Sequence, residues 1–358
     1  MDSKYVFLMP QLKMGGGNRV CIDLINQLIR KGELVEVWAP YNSEDQLSCK
    51  CDERVVFRLF GKLHASILGK FWNLLIALLQ VFFLSSRTTL VYTDPIVAML
   101  VFWIPHKRKV RFIQANDYTL FDNHPKMPFL ICYVYKMLTS LSIRFSKTVL
   151  FNSRYTYLKI CQISGRQFTE KIVTPPIDHG KFKLINLQRR LVIGIIARPH
   201  AIKGLQQFLD AWKLVSGDTR NMVAKVILIS HDDLSAFEIP SSFVIVKPSS
   251  DDELIQIFNE FEIFISSSLE EGFGLPGLEA MACGACLLTS NSGGTKEYAV
   301  DGFNALLFEP YNIDLFAKRL TLIICDLGLR LKLKQNAFNT VKGFSPERTL
   351  EQFYECIK

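Results

Sequence analysis

The stretch Glu-Glu-Gly-Phe-Gly-Leu-Pro-Gly-Leu-Glu-Ala-Met-Ala, residues 270–282, is the most informative part of this chain. The apolar run at residues 261–266 predicts a buried strand before it, and a helix is expected after the turn until Gly284. A strand, a glycine-bearing turn and a helix N-terminus in this order let backbone N–H groups receive an anion. Glu271 and Glu279 flank the turn, and we expect Glu279 about two turns into the helix. Carboxylates beside such a site suit the hydroxyls of a sugar or ribose better than phosphate.

Length and composition indicate a globular protein of two or three domains. The 358 residues are 49% hydrophobic and 21% charged, which excludes disordered and low-complexity architectures. Residues 1–10 are read as a first strand and not as a signal peptide. The nine cysteines lack the spacing of a zinc site, so no metal is predicted, and free thiols suit a reducing cytoplasm.

The positive charge is concentrated in the first half of the chain. Residues 1–185 contain 25 Lys and Arg against 13 Asp and Glu, although the whole chain has a net charge of only +8. An excess of positive charge in this half of the chain suggests a polyanionic partner. Nucleic acid is not predicted, because no nucleic-acid-binding motif accompanies the charge.

Two apolar stretches favour a membrane surface as that partner. Residues 71–84 form an apolar run shorter than the ~18–20 residues that span a bilayer. Residues 126–147 mix aromatic residues and leucines with Lys and Arg, and residues 107–111 are the densest positive cluster. These features suit peripheral docking at an anionic lipid surface. The alternative is ordinary core helices with a solvated basic rim.

Strands alternate with helical patterns in two similar halves, which predicts two parallel sheets. We expect strands at residues 5–10, 35–38, 55–57, 89–92, 110–114, 148–151, 191–197, 224–230, 243–246, 263–266, 285–289 and 306–308. The polar stretch after Pro175-Pro176 is a reasonable hinge between the halves. Ligands of such domains bind beyond the carboxyl ends of the strands.

Four segments follow strands and could meet at such ends: residues 15–19, 198–204, 271–279 and 291–297. Arg198 and Lys203 could hold a diphosphate, although two solvated cations are the alternative. Residues 291–297 could equally be a simple helix cap. Each segment alone has several interpretations, but their common position after strands favours one ligand site.

The chain resembles the retaining GT-B glycosyltransferases of family 4, the glycosyl transferases group 1. The resemblance rests mainly on the two glutamates of residues 271–282, which are separated by seven residues. Residues 291–308, Arg198 with Lys203-Gly204, residues 15–19 and residues 176–182 match further parts of the family pattern in the same order. The resemblance implies an α/β fold with two Rossmann-like parallel-sheet domains facing across a cleft. Residues 1–185 would form the acceptor-binding domain, residues 186–345 the nucleotide-sugar-binding domain, and residues 346–358 a helix crossing back.

The resemblance also implies site residues. The catalytic residues would be Arg198, Lys203 and Glu271, the two cations neutralising the departing diphosphate and Glu271 binding the donor sugar. The other donor-binding residues would be Gly15, Gly16, Gly17, Asn116, Phe273, Gly274, Leu275 and Glu279, with Glu279 on the ribose. No side-chain base, cofactor or metal is implied.

The implied activity is transfer of a hexose from a nucleotide-diphosphate sugar to a lipid-linked or glycolipid sugar acceptor. A UDP- or GDP-sugar is the expected donor, and a dTDP-sugar is the alternative. The place of action would be cytoplasmic, at the inner face of the cell membrane, in polysaccharide, lipopolysaccharide or glycolipid biosynthesis. The chain departs from the family at Gln114-Ala115-Asn116-Asp117, where many members have histidine, and at residues 230–233 and 247–248 near the base. The nucleotide base therefore cannot be inherited from the resemblance. A GT-B sugar-nucleotide epimerase and a non-catalytic, membrane-docked sugar-nucleotide binder are the alternatives.

Overall fold

The computed structural model describes residues 4–10, 16–41, 51–63, 66–106, 108–119, 128–185 and 190–358. Gly15 and Lys107, the first residue of the positive cluster at residues 107–111, lie outside these residues. The chain divides into two compact units, one of residues 1–176 together with 346–358 and one of residues 177–345.

The boundary between the units lies after Pro176 and not after residue 185. Residues 177–185 join the second unit through hydrogen bonds at both of their ends. The Ile177 N–H donates to the Phe344 carbonyl at 2.7 Å, and the Ile185 N–H donates to the Asn259 side chain at 2.8 Å.

The N-terminal unit is built on a parallel sheet. Its described strands are β1 (Tyr5–Leu8), β2 (Val35–Pro40), β3 (Val56–Phe60), β4 (Thr89–Tyr92), β5 (Lys109–Ile113) and β6 (Thr148–Phe151), in the order β3-β2-β1-β4-β5-β6. Its described helices are α1 (Gly16–Arg30), α2 (Ile67–Gln80), α3 (Pro95–Val101), α4 (Phe129–Phe145), α5 (Arg154–Ser164) and, from the end of the chain, α12 (Pro346–Ile357). Helix α12 packs on this unit, with the Phe353 ring 6.0 Å from the ring of Tyr5.

Helices α2, α3 and α4 cover one face of this sheet. Apolar side chains of α2 and α3 pack together on β1 and β4. Ile143 of α4 and Ile113 of β5 belong to one hydrophobic cluster. The parallel register sets Tyr92 of β4 beside Arg111 of β5, so Ile113, two residues further on, projects to the same side.

The basic cluster predicted at residues 107–111 is not an exposed patch where the structure describes it. Arg111 is fully buried and pairs with Asp117 at 2.6 Å. The Lys109 ammonium donates to three carbonyls at and beyond the end of α3, and burial lowers its pKa. Only Arg108 of the described cations in the cluster is exposed. The prediction that this cluster contributes to a membrane-docking surface was wrong, because two of its cations have partners inside the fold.

The C-terminal unit repeats the architecture. Its described strands are β7 (Val192–Ile196), β8 (Lys225–Ile229), β9 (Phe243–Val246), β10 (Ile263–Ser266), β11 (Cys286–Ser290) and β12 (Ala305–Phe308), in the order β12-β11-β10-β7-β8-β9, all parallel. Its described helices are α6 (Leu205–Leu214), α7 (Gly217–Asn221), α8 (Asp251–Phe258), α9 (Leu275–Ala282), α10 (Ile313–Cys325) and α11 (Leu327–Val341). Strands β7 and β10 lie side by side at the centre, and the core below them includes Ile193, Ile263 and Phe316.

The predicted α/β architecture is confirmed: all twelve predicted strands lie among the described residues, within three residues of their predicted ends. Strands of a parallel sheet are covered on both faces, so they appear in the sequence as short apolar runs. None of the described helices is both long enough and apolar enough to cross a membrane.

Candidate active site

Three loops meet at the carboxyl ends of β7, β10 and β11, which are neighbours in the C-terminal sheet. They carry residues 198–204, 267–274 and 291–297, and thus three of the four segments selected from the sequence. The fourth segment, residues 15–19, belongs to the N-terminal unit. Because parallel strands end at the same edge, these loops form one surface of the C-terminal unit.

Hydrogen bonds tie the turn of Lys203 to the loop after β10. The Leu269 N–H donates to the Ile202 carbonyl at 2.7 Å, and Ser267 Oγ donates to the Lys203 carbonyl at 3.3 Å. Gly204 follows with φ of 67°, and a Cβ at this position would lie 1.9 Å from the Ser267 carbonyl oxygen. Only glycine permits this turn and this close approach, which explains the glycine next to the lysine.

Lys203 and Glu271 form an ion pair at the centre of these loops. Lys203 Nζ lies 2.7 Å from Glu271 Oε1, and Ser268 Oγ donates to the same oxygen at 2.7 Å. The side chains of the pair are 33% and 19% exposed, so a ligand can reach both. Since both of these bonds use Oε1, the second carboxylate oxygen keeps its capacity to accept hydrogen bonds from a ligand.

The turn after β11 holds the backbone of Glu271. Its N–H donates to the Ser292 carbonyl at 2.8 Å, and its carbonyl accepts from the Gly294 N–H at 2.9 Å. A Cβ on Gly294 would lie 2.0 Å from the Gly272 carbonyl oxygen, so the two loops approach each other through glycine. Glu271 is therefore fixed through its backbone as well as through its side chain.

Helix α9 begins at Leu275 and places Glu279 about one turn from its start. The expectation of two turns was wrong because the chain enters the helix only after Gly274. Glu279 is only 2% exposed. Pro276 has no N–H, and the Leu275 N–H has no acceptor within the helix, so this N-terminus offers a backbone donor and the positive end of the helix dipole.

Two further residues predicted in these loops, Arg198 and Phe273, differ in exposure. Arg198 is exposed and makes no ion pair within the described part of the chain, so it does not join the Lys203–Glu271 ion pair. The Phe273 side chain is buried, and its ring lies 5.6 Å from the ring of Tyr298. The Phe273 side chain is therefore not available to a ligand.

In the N-terminal unit, the glycine segment lies against the end of β5. Gly16 and Gly17 open helix α1, and Gln114 Nε2 donates to the Gly17 carbonyl at 3.1 Å. Asn116 is half-buried, and its side-chain oxygen accepts from the Tyr118 N–H at 3.3 Å. The unit thus brings two of its predicted donor-binding segments together.

Sequence reasoning missed two residues of the site, Ser268 and Tyr298. Ser268 belongs to a run of three serines that has no distinguishing pattern. Tyr298 directly follows Glu297 of the selected segment, which was the only available signal. Burial raises the pKa of the Tyr298 hydroxyl well above its ordinary value, and the charges of Glu271 and Glu279 add to the shift, so the hydroxyl stays protonated. Among the described residues, no group of three or more His, Cys, Asp or Glu side chains could hold a metal ion.

Comparison with protein families gives a match within the C-terminal unit. Residues 180–340 match the family model "Glycosyl transferases group 1". Among curated proteins, the chain is similar to the N,N'-diacetylbacillosaminyl-diphospho-undecaprenol alpha-1,3-N-acetylgalactosaminyltransferase of Campylobacter jejuni, with 23% identity over 223 residues. That similarity covers 58% of this chain and 59% of the relative.

Solved structures extend the likeness to the whole chain. The sucrose-phosphate synthase of Thermosynechococcus elongatus matches with a TM-score of 0.82 and 13% identity, covering 99% of this chain and 98% of that one. Anabaena Alr3699/HepE in complex with UDP and glucose matches with a TM-score of 0.74 and 18% identity, covering 99% and 98%. Likeness at these identities shows the fold, which is GT-B with two Rossmann-like domains.

Proposed function

We propose that this chain, a GT-B protein whose C-terminal unit matches the glycosyl transferases group 1 family, is a retaining glycosyltransferase of family 4. It moves a hexose from a nucleotide-diphosphate sugar to a sugar acceptor and requires no metal ion. The acceptor sugar is carried by a lipid, in the biosynthesis of a cell-surface polysaccharide such as lipopolysaccharide, or of a glycolipid.

The observation that carries this proposal is the Lys203–Glu271 pair, whose charged atoms are 2.7 Å apart. The pair lies in the loops at the carboxyl end of the sheet, and the loop of Glu271 leads into α9. A nucleotide-diphosphate sugar has three polar parts: a diphosphate, sugar hydroxyls and a ribose diol. The lysine and the helix N-terminus suit the first, and Glu271 suits the second. Glu279, buried one turn into α9, supplies a carboxylate for the third.

During transfer, the bond between the anomeric carbon and the phosphate oxygen breaks. The acceptor hydroxyl oxygen attacks the anomeric carbon on the same face, and its proton passes to the departing phosphate oxygen. Lys203 and Arg198 neutralise the negative charge that develops on the diphosphate. Cationic and backbone donors placed at a developing charge each contribute roughly 3–4 kcal/mol to the barrier reduction.

Glu271 acts on the sugar. Lys203 and Ser268 hold its Oε1, and its second oxygen accepts a hydrogen bond from a donor-sugar hydroxyl. Its negative charge also stabilises the positive charge that develops at the anomeric carbon. The backbone N–H groups of residues 273–275 bind the donor sugar and phosphate, and the donor contacts of residues 15–17 and Asn116 stay predictions.

Similarity to relatives supports the substrate classes. The Campylobacter jejuni relative is named for a sugar linked through diphosphate to undecaprenol, which supports a lipid-linked acceptor. The Anabaena structure contains UDP and glucose, which supports a nucleotide sugar as the donor. UDP- and GDP-sugars are the donors that we propose to test first, with dTDP-sugars after them.

An anionic membrane surface is the partner that we assign to the N-terminal unit. Large apolar side chains are exposed on α2, on the turn after it, beyond α3 and on α4: Leu68, Phe71, Trp72, Leu79, Phe82, Phe83, Trp103, Phe129, Leu130, Ile131, Tyr133, Val134, Met137 and Phe145. The chain has no acidic residue between Glu53 and Asp94 or between Asp122 and Glu170, whereas Lys70 is exposed there. Apolar anchors without acidic neighbours match an anionic lipid surface, here the cytoplasmic face of the cell membrane.

Changing Phe82 and Phe83 together to Ser should weaken binding to vesicles that contain phosphatidylglycerol by more than about a hundredfold, since each buried Phe side chain contributes roughly 1.5–3 kcal/mol and about 1.4 kcal/mol is a factor of ten. Co-sedimentation with the vesicles measures this affinity. Leu327→Ser with Leu331→Ser, two exposed leucines on α11, is the matched control and should leave it unchanged. Equal binding of all three proteins would refute membrane docking through this surface.

The proposed activity is tested by incubating the protein with UDP-, GDP-, ADP- and dTDP-sugars, in parallel with Mg²⁺ and with EDTA, and measuring slow donor hydrolysis. We expect one donor to be hydrolysed, with the anomeric configuration of the released sugar retained in NMR spectra. An epimerised nucleotide sugar in place of free sugar would identify an epimerase. Binding without hydrolysis would identify a non-catalytic binder, and loss of activity in EDTA would refute metal independence.

A further inference from the structure

We infer that Tyr298 is a positioning residue of the donor site: its hydroxyl fixes the peptide between Gly274 and Leu275 so that the Leu275 N–H faces the donor phosphate. The inference rests on the proposed nucleotide-sugar site. It assigns a role to a buried side chain that does not itself touch the substrate.

Tyr298 lies directly behind the loop that leads into α9. Its side chain is 2% exposed, and its Oη donates to the Gly274 carbonyl at 2.6 Å. The Tyr298 ring packs against the rings of Phe273 and Phe344, with centroids 5.6 Å and 6.3 Å away. The ring is therefore held rigidly, and the position of the hydroxyl is set by packing.

The geometry of a trans peptide transmits this position to the other side of the loop. The Gly274 carbonyl and the Leu275 N–H belong to one planar trans unit, in which they point in opposite directions. The Gly274 carbonyl accepts from the Tyr298 hydroxyl and from the Gly277 N–H at 3.0 Å. The peptide plane cannot rotate without losing both bonds, so the Leu275 N–H stays directed away from the buried tyrosine.

Gly277 makes room for the hydroxyl. A Cβ at this position would lie 2.6 Å from Tyr298 Oη, which is closer than real Cβ atoms approach. No other atom of Tyr298 would come closer than 3.5 Å to that Cβ, so the clash is with Oη. Gly277→Ala should therefore push Tyr298 Oη, together with the ring that carries it, away from the Gly274 carbonyl.

The test compares ligands with and without phosphate. Wild type and Tyr298→Phe are titrated with UDP and GDP, and then with the nucleoside of whichever diphosphate the wild type binds. We expect the diphosphate Kd to rise about fivefold, as for the loss of one hydrogen bond, with the nucleoside Kd unchanged. Tyr157→Phe, which removes a hydroxyl that donates to the Phe168 carbonyl at 3.2 Å in the other unit, is the control and should change neither Kd.

A second variant makes the test independent of one substitution. Gly277→Ala should reproduce the loss of diphosphate affinity, and the double variant with Tyr298→Phe should bind no more weakly than the worse single variant, because both remove the same bond. An unchanged diphosphate Kd in Tyr298→Phe, or equal weakening of diphosphate and nucleoside, would overturn the inference and leave the proposed function standing. If the wild type binds neither UDP nor GDP, the proposed function fails and the inference fails with it.

Discussion

Lys203→Met lowers kcat for donor hydrolysis by about 10²–10³-fold, the usual effect of removing one charged donor from a developing oxyanion. In the structure, Lys203 Nζ lies 2.7 Å from Glu271, so the lysine has a carboxylate partner before any diphosphate arrives. Once the diphosphate is bound, its growing negative charge competes for the same ammonium. Steady-state kinetics with the donor identified in the sugar panel measure the effect.

Two further variants separate the role of the lysine from other effects. Ser268→Ala removes the other hydrogen bond to Glu271 Oε1 and should lower kcat by about tenfold, the low end of the roughly 1.5–3 kcal/mol of a hydrogen bond to a charged group, because Lys203 still holds the same oxygen. Lys213→Met removes a surface ion pair with Glu238 from the same unit and should leave kcat unchanged. A kcat for Lys203→Met within threefold of the wild type would contradict the assigned role.

Arg111→Met destabilises the N-terminal unit by about 3–5 kcal/mol, the cost of leaving a buried charge without its partner. Arg111 is fully buried and donates to Asp117 Oδ2 and Ser142 Oγ, each at 2.6 Å. Urea unfolding followed by tryptophan fluorescence measures the loss. Three of the four tryptophans, Trp38, Trp72 and Trp103, belong to this unit and make its transition visible.

The pH dependence of the stability of the Arg111→Met variant identifies the Asp117 carboxylate as the buried charge that is left unpaired. Burial raises the pKa of Asp117, and in the wild type Arg111 opposes that shift. Without the arginine, folded Asp117 binds a proton more tightly than the unfolded chain does, so the destabilisation should shrink as the pH falls from 8 towards 5.

Two matched variants complete the test of Arg111. Arg154→Met breaks an exposed ion pair with Glu170 in the same unit and should cost no more than about 1 kcal/mol. Arg111→Met combined with Asp117→Asn should recover part of the stability, because no charge is then buried. Equal losses from Arg111→Met and Arg154→Met would show that the buried pair has no special weight.

The sheets could be predicted from sequence because each buried strand is a local pattern. β10 appears as the apolar run Ile-Phe-Ile before a serine, and β7 as Val-Ile-Gly-Ile-Ile. The turn after β10, with its glycines and its two glutamates, likewise pointed to an anion-binding helix N-terminus. Both judgements need only residues that are close together in the chain.

Contacts between distant residues could not be predicted in the same way. Lys203 and Glu271 are 68 positions apart, and no local pattern pairs them or adds Ser268 to the pair. At residues 107–111 the sequence instead suggested an exposed positive cluster, which the described residues of this segment do not form. A count of charges cannot tell that Arg111 is buried against Asp117, because burial depends on which helix covers the strand.

The amino-acid sequence by itself determined two α/β halves with parallel sheets and the loop of Glu271 and Glu279. Tertiary structure alone decided that Lys203 meets Glu271, that Tyr298 holds the peptide before Leu275, and that α9 starts late enough to place Glu279 only one turn inside it. The physical reason is range: strand and turn preferences act between neighbours in the chain. An ion pair or a buried hydrogen bond exists only once packing has brought its two partners within about 3 Å.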